Sequence, residues 1–308
     1  MNGALIVDKP QGPSSHEVVA RVRRATGIKR IGHTGTLDPL ATGVLLLLAG
    51  RATRLARFLG AGEKAYAATV RLGVATDTYD ATGQPVSGGI PAGGGSPIAA
   101  LDRAAIDAAL ESFRGVFRQG PPPFSAKKVS GVRAYKLARR RAPVALPPVM
   151  VTVHALELVA HEGTRLDLRL VSSPGFYVRS LAHDLGIRLG CGAHLEALRR
   201  TLTGGFRIEQ AVALETIEAE GLDAVSRLIP MADLLPELPG LILTPRGVRR
   251  AAHGNAVEVA EVADRLDGAP TAVERAQGLV RLLDREGRLL AIAEPGTGPA
   301  LHPVVVLV

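Results

Sequence analysis

Gly32-His33-Thr34-Gly35-Thr36-Leu37-Asp38-Pro39-Leu40-Ala41-Thr42-Gly43, directly ahead of the aliphatic run Val44–Ala49, decides how this chain is read. Three glycines and a proline within twelve residues specify a tight, defined backbone. Pro39 restricts the residue before it to extended conformations, so the Asp38 carboxylate is expected to project from the loop rather than enter a helix. Local chemistry equally permits Asp38 to be a turn residue that bonds its own backbone, as Asp-Pro often does. Within the following run, Val44–Leu48 reads as a buried strand, and the whole run, Val44–Ala49, is far too short to span a bilayer.

Working outward, a short apolar strand at Ala4–Val7 precedes the turn-forming DKPQGPSS. Ser14 and Glu17 have the spacing of a capping box, which starts an amphipathic helix that Gly27 ends. A second short helix fits Thr53–Leu59, and the alternation in Tyr66–Leu72 predicts a strand with Arg71 outward. Ser87–Pro97 is Gly-rich and reads as a flexible surface loop, followed by a helix over Asp102–Phe113. Two strand-like runs, MVTVHALEL and RLDLRLVS, form a hairpin around Glu162–Gly163, and a helix covers Tyr177–Leu189 up to Gly190. Pro236, Pro239 and Gly240 mark a boundary. Beyond it come short strands separated by Gly, Asn and Pro, the pattern of a small β-barrel. The fold class is α+β: a mixed sheet with several helices, then a small all-β domain.

Composition narrows the function. The 308 residues carry a net charge of +8, and 46% are hydrophobic, enough for a sizeable core. The segment from residue 240 onward is neutral, so residues 1–239 hold the whole surplus and should face any polyanionic partner. Seven cations fall between Lys127 and Arg141 with no acid among them: Lys127, Lys128, Arg133, Lys136, Arg139, Arg140 and Arg141. Such a run is either a phosphate-gripping surface or a solvated basic helix. One cysteine, Cys191, excludes an internal disulfide framework and a Cys-clustered zinc site. The chain has no P-loop, no dinucleotide fingerprint, no HExxH, no GxSxG and no His cluster with ligand spacing, so neither a metal nor a cofactor is expected. MNGALIVDKP lacks the features of a signal peptide, and a cytoplasmic, soluble protein is expected.

GHTGTLDPLATGVL resembles the catalytic motif of the bacterial TruB-type tRNA pseudouridine synthases. Four further blocks resemble that family in order and spacing over residues 3–235: VDKPQGPSSHEVV, KAYAATVRLGVATDTYDATG, PPPFSAKKVSGVRAYKLAR (Phe124 in place of a more usual Tyr) and SPGFYVRSLAHDLGIRLGCGAHLEALRR. The resemblance implies a pseudouridine synthase catalytic domain over 1–237, with a mainly antiparallel mixed sheet and an RNA-binding insertion at about 121–150. A PUA-like RNA-binding β-barrel would follow over 238–308. It implies Asp38 as the nucleophile, Arg179 as the cation that lowers its pKa and holds it ready, and Tyr66 as a ring that stacks on the target base and serves in proton transfer. Tyr177 would line the pocket, Leu198 would pack on the flipped base, His33 would fill the space the base leaves, and Lys9 would help organise the site. The insertion, through Lys127, Lys128, Arg139, Arg140 and Arg141, would grip RNA phosphates. The implied reaction turns the T-loop uridine of tRNA, position 55, into pseudouridine after base flipping, by a monomer without cofactor or obligatory protein partner, with a tRNA-folding role besides. Two rival expectations are an RNA-binding protein whose modification activity is lost and a sister synthase that acts on ribosomal RNA through partner proteins.

Overall fold

The computed structural model describes residues 1–86, 101–125, 128–129, 132–133, 146–265, 278–296, 298 and 300–308. The Gly-rich stretch 87–97 lies outside them, as do Lys127 and Arg139–Arg141. Lys128 is described only as part of a two-residue strand.

Strand β1 (Gly3–Lys9) and strand β3 (Thr42–Ala49) are both almost wholly apolar and buried. They pair antiparallel along their length, from Gly3 opposite Ala49 to Lys9 opposite Gly43. That register delivers Lys9 to the end of β3 where the Asp38 loop arrives. Helix α1 (Ser15–Thr26) starts on the expected capping box, with Ser14 accepting from the Glu17 amide, and stops at Gly27, whose φ of 68° suits glycine. Its Val18, Val19 and Val22 pack on Leu5, Val7, Leu45 and Leu47. Strand β2 (Ile31–His33) pairs with the far half of β3, so residues 34–41 are the connection of a β-hairpin rather than a free loop. In place of one helix over 53–59, a 3-10 segment at Gly50–Leu55 runs into a single turn, α2 (Ala56–Leu59). Gly50, at φ 60°, lets the helical segment begin directly after the strand, three residues before the expected start at Thr53.

The second half of the molecule is an antiparallel array. Strand β4 (Lys64–Leu72), α3 (Arg103–Glu111), β5 (Gly115–Gln119), the short hairpin β6 (Lys128–Val129) and β7 (Val132–Arg133), β8 (Val149–Glu162), β9 (Arg165–Ser172), α4 (Val178–Arg188) and β10 (Ala193–Thr203) follow in order. The expected 150–172 hairpin forms, turning at Gly163 (φ 58°). Helices α3 and α4 cover one face of the array around Ile106, Leu110, Leu166, Leu181 and Leu185. After the two-residue strands β11 (Phe206–Arg207) and β12 (Val212–Ala213) comes α5 (Leu214–Glu220), which packs on α1.

Among the described residues the large sheet has ten strands, ordered β12-β1-β3-β10-β4-β9-β8-β5, with β2 on β3 and β11 on β10. All its pairings are antiparallel except β1–β12 and β3–β10. The β3–β10 contact is a short parallel seam, Arg199 opposite Thr42 and Arg200 opposite Gly43, that joins the two halves. Gly43 is obligatory there: its φ is 100°, and a Cβ would lie 2.2 Å from the Arg200 carbonyl oxygen.

Beyond Gly240, β13 (Gly240–Leu243), α6 (Pro245–Ala252), β14 (Val257–Glu258), β15 (Val262–Arg265), β16 (Val280–Leu283), β17 (Leu289–Pro295) and β18 (Ala300–Val306) build a six-stranded barrel-like sheet, ordered β14-β18-β17-β16-β13-β15. Its Leu283, Leu289, Ile292 and Leu307 share a core with Ala4, Ile6, Val44, Leu46 and Leu48 of the large sheet. Arg281, nearly buried, ties the junction by donating to the carbonyls of Ala232 (2.7 Å) and Leu238 (2.8 Å).

Candidate active site

At the β3–β10 seam the sheet opens into a cleft of about 280 Å³, at the small end of ligand pockets. Among its lining residues are Thr34–Asp38, Lys64, Tyr66, Ser125, Pro174–Arg179, Leu198 and Arg200. A larger recess of about 370 Å³ over Ala67, Thr69, Asp167 and Arg199 shares Leu198 with the cleft but contains none of the titratable residues that sequence singled out for chemistry.

The Asp38 loop is held from below. Lys9, with 0% of its surface exposed, donates from Nζ to the carbonyls of Ala41 (2.6 Å) and Pro10 (2.9 Å). Burial lowers its pKa to about 8, while Asp38 pulls it back up. Ser15 adds a reciprocal pair with the Leu37 backbone, its hydroxyl donating to the carbonyl (3.0 Å) and accepting from the amide (2.8 Å). The Asp38 carbonyl closes the turn by accepting from the Ala41 amide at 3.0 Å. Its carboxylate is therefore free for another partner, and the two alternatives open at the level of local sequence are divided between carbonyl and side chain.

That partner is Arg179, second residue of α4, 5% exposed. Its Nε lies 2.9 Å from Asp38 Oδ2, a charge contact without the alignment of a directed hydrogen bond. Nη1 donates to the Thr78 carbonyl (3.0 Å) and lies 3.6 Å from Asp80 Oδ2, and Nη2 donates to the Phe124 carbonyl (2.9 Å). A cation in the first turn of a helix opposes the helix dipole. Two carboxylates offset that here. Asp80 is itself fixed by Thr78 Oγ1 (2.8 Å) and by the amide (3.0 Å) and hydroxyl (2.5 Å) of Thr82. Between Thr78 and Asp80, Tyr79 takes a left-handed backbone (φ 65°), rare for a non-glycine residue, and stacks on His183 at 3.7 Å.

Burial pushes the Asp38 carboxyl above its ordinary pKa, Arg179 and Lys9 pull it down, and Asp80 adds to the rise. The net direction is upward: Arg179 lowers the value, as expected of a neighbouring cation, but desolvation outweighs it. The cation limits a rise that desolvation causes. The cleft mouth still leaves 37% of the Asp38 side chain accessible.

Tyr66 and Arg200 face each other across the β4–β10 ladder. Arg200 is 1% exposed and donates from Nε to the Val44 carbonyl (2.8 Å) and from Nη2 to the Gly35 carbonyl (3.1 Å), which places its charge beside the Tyr66 phenol. Burial raises the Tyr66 pKa, so a neutral phenol stands in the cleft. Burial lowers the Lys64 pKa to about 8; its ammonium donates to the carbonyls of Gly60 (3.1 Å) and Gly62 (3.0 Å).

The structure thus gathers Asp38, Tyr66, Tyr177, Arg179 and Leu198 in one cleft, with Lys9 beneath the loop. His33 is not a lining residue: its ring packs edge-on to His16 at 5.5 Å. Lys127, Arg139, Arg140 and Arg141 lie outside the described residues, and the same holds for the Lys128 side chain. Among the described residues no cluster of His, Cys, Asp and Glu could hold a metal ion.

Residues 23–178 match the family profile "TruB family pseudouridylate synthase (N terminal domain)". The chain belongs to the TruB family of pseudouridylate synthases. Residues 179–233 match a second profile, "tRNA pseudouridylate synthase B C-terminal domain", so the seam between the two falls at the first turn of α4, beside Arg179. Among curated relatives, a tRNA pseudouridine synthase B of Solibacter usitatus (strain Ellin6076) is 42% identical over 100% of both chains. One of Thermobifida fusca (strain YX) is 41% identical over 99% of this chain and 98% of its own. Among solved structures, an H/ACA RNP bound to a substrate RNA containing 2'-deoxyuridine superposes with a TM-score of 0.70 at 25% identity, covering 99% of this chain and 85% of that one. A Cbf5-Nop10-Gar1 complex gives 0.70 at 26%, covering 99% and 85%. The TruB-family motifs also contain Lys64, Asp80 and Arg200, to which the sequence alone assigns no role. The signal for Arg200 is its position on the Tyr66–Leu198 face of a strand, where a core residue is expected.

Proposed function

We propose that this TruB-family chain converts the T-loop uridine of tRNA, position 55, to pseudouridine, with Asp38 as nucleophile. The observation that carries the reading is the Asp38–Arg179 pair in a cleft of nucleoside size, walled by Tyr66, Tyr177 and Leu198. The relatives that match over full length are named for tRNA at 41–42% identity, whereas the H/ACA structures stand at 25–26%.

The uridine leaves its stack and enters the cleft, where Tyr66 and Leu198 receive the base. Ionised Asp38 attacks the nucleoside, the N-glycosidic bond breaks, the base turns, and a carbon–carbon bond forms to the same sugar. Nothing is gained or lost overall. Arg179 keeps Asp38 ionised and oriented, and Lys9 fixes the loop that presents it. Tyr66, a phenol, takes part in proton transfer through its hydroxyl, which Arg200 aligns. His33 enters the space that the base vacates. Lys127, Lys128, Arg139, Arg140 and Arg141 grip phosphates and supply salt-dependent affinity, while the shape of the T-arm selects the site. The domains divide at 237/238, the six-stranded sheet serves as a PUA-like module toward the acceptor end, and the same grip assists tRNA folding. The protein acts in the cytoplasm as a monomer without a protein partner.

The test uses an unmodified tRNA transcript. Asp38→Asn is expected to bind it and form no pseudouridine; appreciable turnover by that variant overturns the assignment. Wild type alone should modify an isolated T-arm and leave ribosomal RNA untouched.

A further inference from the structure

Gln119, the last residue of β5, is 1% exposed, and neither the proposed chemistry nor the family motifs give it a task. Its side-chain amide makes a reciprocal pair with the backbone of Tyr177: the Tyr177 amide donates to Oε1 at 2.8 Å, and Nε2 donates to the Tyr177 carbonyl at 2.9 Å. Tyr177 is the N-cap of α4 and offers no side-chain cap of its own. The first turn of that helix is therefore held from outside. Two neighbouring bonds join the same two segments, Ser180 Oγ to the Gly120 carbonyl (2.7 Å) and Arg179 Nη2 to the Phe124 carbonyl (2.9 Å). Arg179 stands two residues beyond the residue that Gln119 clamps.

We infer that Gln119 is a positioning residue for the reaction. By fixing the N-cap backbone of α4 it sets the distance between the Arg179 guanidinium and the Asp38 carboxylate. An amide suits this task because it presents a donor and an acceptor in one plane, the pattern a paired β-strand would present, without bringing a charge into a buried position. Arg179 Nε approaches Asp38 without an aligned hydrogen bond, so the position of the helix start, rather than a directed bond to the carboxylate, sets that contact. Displacement by a fraction of an ångström at the helix start is then transmitted to the nucleophile.

The inference rests on Asp38 and Arg179 as the reacting pair, and the experiment separates the two claims. Single-turnover pseudouridine formation and tRNA affinity are measured for the wild type, Asp38→Asn, Gln119→Met and Gln119→Glu. Gln119→Met keeps length and removes both polar groups; a rate loss of about 10- to 100-fold is expected, with affinity within about threefold. The groups facing Asp38 are Arg179 on α4, Tyr177 at its N-cap, Asp80 on the 76–82 loop, Tyr66 on β4 and Lys9 on β1. Loosening Arg179 alone moves the acid limb of the rate profile to higher pH. Gln119→Glu should regain activity relative to Gln119→Met as the pH is lowered, because a protonated carboxylic acid restores one donor and one acceptor. A wild-type rate and acid limb in folded Gln119→Met overturn the inference. Should that variant fail to fold, Gln119→Glu with a wild-type acid limb and no pH-dependent recovery overturns it. Turnover by Asp38→Asn would instead sink the reading of the site.

Discussion

Replacing Arg179 with methionine removes the cation nearest to Asp38 and leaves Asp38 and Asp80 as neighbouring carboxylates. In the intact site Arg179 lies 2.9 Å from one and 3.6 Å from the other. Breaking a fully enclosed pair costs about 3–5 kcal/mol, but Asp38 keeps 37% of its side chain in contact with solvent, and screening reduces the figure to ~2 kcal/mol. At ~1.4 kcal/mol per factor of ten, this lifts an already raised carboxyl pKa further and favours the protonated form about thirtyfold. The reactive form is the anion, so activity is lost as the pH falls through the folded-state value. The acid limb of the wild type should lie above the ordinary carboxylate range, and that of Arg179→Met should lie higher still. Below both limbs the variant should be about thirtyfold slower from protonation alone, with a further loss from misorientation that persists at high pH. Arg179→Lys, which keeps the charge and gives up the fork to Thr78 and Phe124, should shift the limb less and still lose the orientation. The assay is single-turnover pseudouridine formation at saturating tRNA across pH, with folding checked by circular dichroism. An unmoved acid limb in folded, tRNA-binding Arg179→Met would refute the argument that this cation limits the Asp38 pKa.

Other outcomes follow from the same geometry. Gly43→Ala puts a Cβ 2.2 Å from the Arg200 carbonyl oxygen at a φ of 100°, and should lower the melting temperature by several degrees or prevent soluble expression; a wild-type thermal scan would count against the seam. Burial raises the Asp184 pKa from 3.8 to about 6, so folding takes up a proton between those values and stability falls as the pH rises through them. Asp184→Asn should therefore be more stable than wild type above pH 6, by ~1–2 kcal/mol, and less pH-dependent below it, as read by urea unfolding at several pH values. Neutralising Lys127, Lys128, Arg139, Arg140 and Arg141 should weaken tRNA binding irrespective of sequence and reduce the log–log salt slope by about one for each phosphate no longer neutralised; an unchanged slope would remove this segment from the RNA interface.

Part of the molecule is legible from local chemistry alone. The Ser14–Glu17 capping box, the Gly27 stop, the buried β3 run and the Gly163 hairpin all report on neighbours within a few positions, and each appears where its residues place it. The backbone around Asp38 is legible for the same reason, since a Gly-rich, Pro-containing loop tells the backbone what to do wherever it sits, while the role of the carboxylate comes from the family resemblance. Arg179, by contrast, lies 141 positions downstream, and charge type alone cannot say which of 37 cations will meet that carboxylate. Only the family resemblance points to it. Gln119, Asp80 and Lys64 carry no local signature, because a buried polar residue looks like any exposed one until its partners are known; Arg200 is marked only by its place on a core-facing side of its strand.

The sign of the Asp38 pKa shift shows the same limit in energetic form. A cation in a motif suggests a lowered carboxylate, and that inference counts one interaction. The folded site sets it against desolvation, Asp80 and Lys9, and burial prevails. What decides the balance is the seam where β3 runs parallel to β10 for two residue pairs, with antiparallel strands on either side. Parallel pairing between elements so distant in sequence is dictated by no periodicity in either strand. It brings Arg200 over Gly43, beneath Gly35 and beside Tyr66, and leaves the gap that becomes the cleft. The cleft is therefore a property of how two legible halves are joined, and only Gly43, the residue whose missing side chain permits the join, records it in the sequence.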